Sequence, residues 1–116
     1  MALVKMKDLL RVPKRKNIGC GAFSVGNMEM VRGAIRAAEE LDTPIILQIA
    51  EVRLKNSPLH LMGPMMVQAA KEAKVDVAVH LDHGLTFETV DKLWSLALHR
   101  LCWMLLRFLL RKTSPE

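Results

Sequence analysis

The feature that most constrains this chain is a threefold alternation of short apolar runs with amphipathic stretches. The apolar runs have the length and composition of buried strands, and they are residues 18–23, 45–50 and 75–81. The amphipathic stretches have helical periodicity, and they are residues 28–41, 57–74 and 87–98. Because strands that alternate with helices are joined by right-handed crossovers, the pattern predicts an α/β fold with parallel strands.

Two parallel architectures remain open on this pattern. One is a doubly wound open sheet, and the other is part of a (β/α)8 barrel. A complete barrel takes about 200–250 residues, whereas this chain has 116 residues and three candidate strands. The arithmetic therefore allows only a portion of a barrel.

Local signals place the starts of the predicted helices. Asn27 and Thr86 are suitable N-caps, and Ser57 followed by Pro58 predicts a cap and a first helical position. The pair Gly63-Pro64 predicts a kink or a late start in the second of these helices.

The amino-terminal segment is basic, and we expect no secretory signal in it. Residues 4–12 predict a short helix that ends before a proline, and residues 13–17 predict a basic loop. Lys5, Lys7 and Asp8 stand where a signal peptide would need an apolar run, so we expect a cytoplasmic protein.

Composition supports one globular core and argues against nucleic-acid binding. The chain is 51% hydrophobic and 25% charged, which is typical of a globular domain. Residues 1–94 carry 13 basic and 11 acidic side chains, and aromatic residues are only 4% of the chain. Cys20 and Cys102 have no metal-like spacing, and they predict free thiols.

Asp82-His83-Gly84 is the most informative site for chemistry, because it directly follows the third predicted strand. The carboxyl ends of parallel strands are where ligands bind in α/β folds. An imidazole is a good zinc ligand, and a carboxylate can carry a proton. The alternative is that Asp82 caps the next helix and His83 lies at the surface.

Three further polar residues lie on or beside the predicted strands. His80 shares a strand face with Asp82, and a hydrogen-bonded core histidine is the simpler interpretation. Gln48 is either a group that fixes the fold or a ligand contact, since a buried amide must be hydrogen-bonded. Ser24 follows the first strand, where it either forms a turn or contacts a ligand.

Three segments together resemble the class II, zinc-dependent fructose- and tagatose-bisphosphate aldolase family. Residues 21–29, Gly-Ala-Phe-Ser-Val-Gly-Asn-Met-Glu, resemble its Gly-Ala-Phe-Asn-x-x-Asn-x-Glu opening. Residues 43–48, Thr-Pro-Ile-Ile-Leu-Gln, resemble its second strand, and residues 77–84, Val-Ala-Val-His-Leu-Asp-His-Gly, resemble its third strand and active-site signature. The likeness covers roughly residues 1–98, which we expect to be the amino-terminal part of such a barrel, about three βα units.

The resemblance implies a site and a reaction. Asp82 would be the proton carrier at the hydroxyl of the cleaved carbon–carbon bond, and His83 would be one of three histidine ligands of Zn²⁺. Gln48 and Ser24 would contact the substrate, a ketose bisphosphate. Zinc would polarise the ketose carbonyl and stabilise the enediolate of dihydroxyacetone phosphate.

Two positions depart from the family pattern. Ser24 stands where an asparagine that binds substrate is usual, and Ala50 stands where a serine that contacts phosphate is common. Either departure would accompany an altered specificity or a relaxed function.

Residues 99–116 form a divergent tail, which is apolar and basic and which we expect to be helical. A shifted reading frame is one explanation for it. We therefore expect the chain alone to be inactive and to form homo-oligomers or aggregates. The alternative function is a non-catalytic interaction or membrane-surface module that uses the tail, although the tail is too short and too charged to favour a spanning helix.

Overall fold

The computed structural model describes residues 3–83 and 85–95, and from residue 22 onwards strands and helices alternate as the sequence predicts. The predicted basic loop at residues 13–17 is wrong, because most of it lies in the helix Arg11–Lys16. A short 3-10 turn over Glu51–Arg53 follows the second strand. The predicted helical tail at 99–116, Cys102 and Gly84 lie outside the described residues. The helices and strands, in chain order, are α1 (Met6–Leu9), α2 (Arg11–Lys16), β1 (Ala22–Ser24), α3 (Met28–Glu40), β2 (Ile45–Ala50), α4 (Leu59–Glu72), β3 (Val77–Asp82) and α5 (Phe87–Ser95).

The three strands form one parallel sheet in the order β1-β2-β3. Ser24 is in register with Gln48, and Gln48 is in register with His80. Ala50 is in register with Asp82 at the carboxyl end of the sheet. The predicted mixed α/β class with parallel strands is therefore confirmed.

The first strand is shorter and more exposed than the sequence predicts. It spans Ala22–Ser24 instead of residues 18–23, and all three of its residues are exposed. Gly19 and Gly21 explain the late start, because glycine weakens a strand and adds no side chain to pack. Among the described residues β1 is also an edge strand, so it is not covered in the way that β2 is.

Prolines are tolerated at two places where the sequence predicts an interruption. Pro13 lies in the first turn of α2, where its missing N–H has no intrahelical partner to lose. Pro64 lies inside α4, which nevertheless runs from Leu59 to Glu72 without a late start. Its missing hydrogen bond would have gone to the carbonyl of His60, an exposed residue in the first turn of the helix.

Two of the predicted caps are confirmed, and one is wrong. The side-chain oxygen of Asn27 accepts a hydrogen bond from the Met30 amide at 2.9 Å, and Thr86 Oγ1 accepts one from the Thr89 amide at 3.3 Å. Ser57 does not cap α4. Its hydroxyl instead donates to the Gly26 carbonyl oxygen at 2.5 Å and ties the two loops together.

The main core lies between one face of the sheet and the helices α3 and α4. Burial of these apolar side chains is the chief source of stability, at about 25 cal/mol for each Å² removed from water. The strand residues in this core alternate along β2 and β3, and they are Ile45, Leu47, Ile49, Val77, Val79 and Leu81.

A smaller core covers the amino-terminal half of the opposite face. Leu9 of α1 packs against Ile46 and Ala78, and all three side chains are buried. Nearby, Leu3 forms a parallel bridge with Val77. The amino-terminal segment therefore covers one end of this face and leaves its carboxyl-terminal half more open.

Candidate active site

The candidate site lies on the open half of the sheet face that α1 partly covers. Side chains alternate across a strand, so Gln48 and Ala50 share a face with Ile46, while His80 and Asp82 share it with Ala78. The burial pattern agrees, since all four of these carboxyl-terminal residues are only partly buried. The two strands thus present polar side chains together at their carboxyl ends.

Asp82 is the centre of the contacts at this site. Gln48 Nε2 donates a hydrogen bond to Asp82 Oδ2 at 3.4 Å, across the β2–β3 pair. The other carboxylate oxygen of Asp82 lies 3.6 Å from His83 Nε2. Three of the four residues to which the family resemblance gives a role are therefore brought together, and the carboxylate lies between an amide and an imidazole.

His83 has an unusual backbone conformation. Its φ is 53°, in the left-handed region that residues with a Cβ rarely adopt. Such conformations persist only where the surrounding structure determines them, and they cluster at functional sites. The side chain of His83 is 76% exposed, so it faces outwards next to the half-buried carboxylate.

His80 lies two residues before Asp82 on the same face of β3, and it is half-buried. Burial lowers the pKa of the His80 imidazole below its ordinary value of 6.5, since desolvation disfavours the charged form. The carboxylate of Asp82 opposes this decrease, and the charge of His83 adds to it. The imidazole of His80 is therefore held towards its neutral form beside the site.

Ser24 lies further from these contacts, on the edge strand. It is in register with Gln48, and the amide of the following residue, Val25, donates to the Gln48 carbonyl oxygen at 2.8 Å. Ser24 is exposed on the carboxyl-terminal side of β1. The structure therefore places Ser24 at the same end of the sheet as Asp82, one strand beyond Gln48.

Glu51 is a residue that sequence reasoning missed. Its carboxylate accepts hydrogen bonds from the hydroxyls of Thr89 at 2.7 Å and Thr86 at 2.9 Å, and from the Thr86 amide at 3.3 Å. The amide of Leu85 also donates to it. The clue was its position immediately after β2, at the same rim as Asp82-His83.

The pKa of Glu51 is lowered by these contacts. Burial raises it, but the hydrogen bonds from Thr89, Leu85 and Thr86 outweigh that effect and bring the pKa below 4.5. The carboxylate is therefore ionised near neutral pH and accepts all of these bonds.

The alternative for Asp82 as a helix cap is not supported. Thr86 and Glu51 satisfy the first turn of α5, while Asp82 bonds to Gln48. The suggestion that His83 lies at the surface agrees with its exposure, which is also what a ligand-binding group at a rim requires.

A complete metal site is not formed within residues 3–83 and 85–95. No group of three or more His, Cys, Asp or Glu in this range could hold a metal ion. A catalytic zinc takes about three protein ligands. The described residues therefore offer His83 as one candidate zinc ligand, and they do not form a complete zinc site.

Comparison with a protein-family model and with known proteins relates this chain to one family of enzymes. The family model for class-II fructose-bisphosphate aldolase matches residues 4–99, and the chain belongs to this family. A fructose-bisphosphate aldolase from Thermus caldophilus is 42% identical over 90 residues, which are 78% of this chain and 29% of that protein. A sulfofructosephosphate aldolase from Alkalicoccus urumqiensis is 36% identical over 83 residues, which are 72% of this chain and 29% of that protein.

The solved structures give the same result. The crystal structure of the YdjI aldolase from Escherichia coli K12 superposes with a TM-score of 0.76 at 31% sequence identity, over 81% of this chain and 37% of that chain. The chain thus spans about 29% of the length of the two relatives named above. In the part of the chain that the structure describes, no helix is long and apolar enough to cross a membrane.

Proposed function

We propose that this chain carries the amino-terminal part of the active site of a class II ketose-bisphosphate aldolase. The reaction is the reversible aldol cleavage of fructose or tagatose bisphosphate to dihydroxyacetone phosphate and an aldehyde phosphate. The observation that carries the proposal is the contact of Asp82 with both Gln48 and His83 at the carboxyl ends of parallel strands. The family match and the names of the relatives support it.

Asp82 has the chemistry of a proton carrier. Its carboxylate is partly exposed, so a substrate hydroxyl could approach it, and the Gln48 amide fixes its orientation by a hydrogen bond. A general base must lie within hydrogen-bond reach of the proton that it takes. Asp82 would accept the proton of the hydroxyl on the cleaved bond and return it in the reverse direction.

His83 would be one ligand of a Zn²⁺ ion, and further ligands would come from residues outside the described part. When bound, zinc supplies Lewis-acid polarisation of a carbonyl group. We propose that three βα units belong to a (β/α)8 barrel, whose other units come from a longer polypeptide or a partner. Gln48 and Ser24 would then line the interior beside the substrate.

Activity assays test this proposal. We expect the purified 116-residue chain, supplied with zinc, to turn over neither fructose nor tagatose bisphosphate, because no group of three or more His, Cys, Asp or Glu within the described residues could hold the metal ion. A longer polypeptide that contains this sequence in a complete barrel is expected to be active. In it, Asp82→Ala should abolish turnover, and His83→Ala should abolish zinc binding and turnover.

Glu88→Ala is the matched control, since Glu88 is an exposed carboxylate that pairs with Lys92 on α5. It should leave the rate unchanged. If the 116-residue chain turns over either substrate, and Asp82→Ala abolishes that turnover, the expected inactivity is contradicted. A complete barrel that kept its zinc and its rate after both Asp82→Ala and His83→Ala would overturn the site.

A further inference from the structure

The turn that carries His83 is held at both of its ends by two consecutive residues of the neighbouring chain segment. On one side, Asp82 is in register with Ala50 in the β2–β3 ladder. On the other side, the amide of Leu85 donates to the carboxylate of Glu51, the residue directly after Ala50. His83 therefore lies between two anchored residues, Asp82 and Leu85.

The carboxylate of Glu51 holds the far side of this turn with both of its oxygens. Oε2 accepts from the amides of Leu85 and Thr86, and Oε1 accepts from the hydroxyls of Thr86 and Thr89. The bonds to an ionised carboxylate are stronger than bonds between neutral groups. Glu51 therefore fixes backbone at the end of the turn as well as side chains in the first turn of α5.

The left-handed φ of His83 needs such support. A residue with a Cβ in this region costs of order 1–3 kcal/mol, which neighbouring contacts must offset. The pairing of β3 with β2 holds the preceding residue, Asp82, and the hydrogen bond from the Leu85 amide to Glu51 holds the chain after His83. If the second anchor is released, the backbone of His83 can return to a negative φ, and its imidazole then leaves its place next to Asp82.

We propose that Glu51 is a positioning residue, whose carboxylate holds Leu85 and Thr86 so that His83 stays left-handed beside Asp82. The inference rests on the proposed function for the chemical role of His83, but its test requires neither zinc nor turnover. It differs from helix capping alone, because a cap would stabilise α5 without setting the imidazole.

Amide hydrogen exchange of the full chain, resolved by residue in the mass spectrometer, gives the first measurement. Glu51→Ala should speed exchange of the Leu85 and Thr86 amides by about fivefold, the change that corresponds to a lost helix cap of about 1 kcal/mol. Glu88→Ala removes a carboxylate from the same first turn of α5 and should leave these amides unchanged. Thr89→Val, which removes one donor to Glu51, should give a smaller increase.

The conservative variant Glu51→Gln separates hydrogen bonding from charge. Its amide oxygen can accept from the two backbone amides, while its NH₂ group can donate to the hydroxyl oxygens of Thr86 and Thr89. We therefore expect Glu51→Gln to restore most of the protection that Glu51→Ala loses.

The second measurement reports on His83 itself. The rate of its carbethoxylation by diethylpyrocarbonate, located by peptide mass spectrometry, depends on the surroundings of the imidazole. Glu51→Ala should shift this rate at His83 and not at His60, an exposed histidine on α4. Glu51→Gln should return the rate towards that of the unsubstituted chain.

Each outcome decides the proposal. Unchanged exchange in Glu51→Ala, equal effects of Glu88→Ala, or faster exchange with an unaltered His83 rate would each overturn it. If Glu51→Ala does not fold, the same comparison between Thr89→Val and Glu88→Ala decides in its place. An inactive complete barrel with the expected exchange pattern would instead remove the proposed function and leave the role of Glu51 intact.

Discussion

Asp82 has two neighbours of different chemistry, and each restrains a different oxygen of its carboxylate. Gln48 donates to one oxygen from the adjacent strand, and His83 lies 3.6 Å from the other. An amide keeps its donor at every pH, whereas an imidazole donates from Nε2 only in one tautomer or when protonated. Gln48 is therefore a permanent donor to one oxygen of Asp82, while donation from His83 to the other oxygen requires a proton on Nε2.

The titration of His80 gives a prediction at the scale of single residues. We expect its midpoint below 6.5, because burial disfavours the imidazolium form. Asp82→Asn should lower it further, since the carboxylate of Asp82 attracts that charge. Deuterium exchange at the imidazole C2 position, followed by mass spectrometry across pH, measures the midpoint.

The same shift sets the sign of a pH effect on stability. The folded chain binds a proton at His80 less tightly than the unfolded chain does. The contribution of neutral His80 to the free energy of unfolding is therefore complete above pH 6.5. It decreases as the pH falls from 6.5 towards the lower pKa of the folded chain. Glu88→Gln, a change of charge elsewhere, should leave the midpoint in place, and a His80 midpoint at or above 6.5 would contradict the assigned burial.

At the scale of elements, β2 is the best determined part of the fold. The sequence predicts it at 45–50, and the structure confirms the same bounds. It lies between two other strands and is covered on one face by α3 and α4 and at one end of the other face by α1. Its bounds are predictable because a strand that is buried on both faces is apolar at nearly every position, and turn signals bound the run.

A leucine pair tests the role of β2. Leu47 is fully buried and Leu61 is 64% exposed on α4. In a longer polypeptide that contains this sequence in a complete barrel, Leu47→Ala should lower the free energy of unfolding by about 2–5 kcal/mol, because it leaves a cavity in the core. Leu61→Ala should change it little, within about 0.5 kcal/mol.

Urea unfolding followed by circular dichroism, at one matched protein concentration, compares the two variants. The midpoint of Leu47→Ala should be well below that of the parent polypeptide, while the midpoint of Leu61→Ala should be close to it. Equal shifts for both substitutions would show that the sheet is not packed as described.

Elements that depend on tertiary context were less predictable. The predicted bounds of β1 were wrong because the apolar run at 18–23 contains Gly19 and Gly21, and the strand that forms is a short, exposed edge strand. Ser57 has the residue type of a cap, yet its hydroxyl bonds to Gly26, which is distant in sequence. Glu51 was missed for the same reason, since its partners Thr86 and Thr89 lie far along the chain and no local spacing indicates them.

The candidate site was more predictable in composition than in geometry. The position of Asp82 and His83 after a strand followed from the sequence, and so did the partner strand that carries Gln48. The contact of Gln48 with Asp82 required the register of two strands, which no local pattern fixes. The roles proposed for these residues remain predictions until the variants are assayed.

At the scale of the molecule, the sheet has apolar surface beside an open edge. Phe23 is in register with Leu47 and so shares its face, yet Phe23 is 48% exposed while Leu47 is fully buried. Within the described residues, no strand pairs with the outer side of β1. Unpaired edges and exposed apolar side chains favour association between copies of a chain.

We therefore expect the free chain to be oligomeric, aggregated or partly molten. Phe23→Lys should reduce association, because a charge on an edge strand opposes pairing with another edge. Phe87→Lys is the matched control on α5, where Phe87 is 70% exposed. Sedimentation velocity over a range of concentrations measures the effect, together with near-ultraviolet circular dichroism of the parent chain.

A monodisperse monomer of the parent chain, with a cooperative unfolding transition and fixed aromatic signals, would contradict this expectation. It would show instead that the three βα units form a self-sufficient fold. An equal effect of Phe23→Lys and Phe87→Lys would show that the edge strand does not direct association.

The bridge between Leu3 and Val77 imposes an order on folding during synthesis. The Val4 amide donates to the Val77 carbonyl oxygen at 3.0 Å, and Leu9 packs against Ala78. A ribosome adds about 5–20 residues each second, so the first residues leave the exit tunnel several seconds before their partners on β3 exist. During that interval β1 can pair with β2, but α1 has only half of its docking surface. The earliest residues to be made are thus among the last to be fixed, and a nascent chain stalled before β3 would expose Leu9 and Ile46.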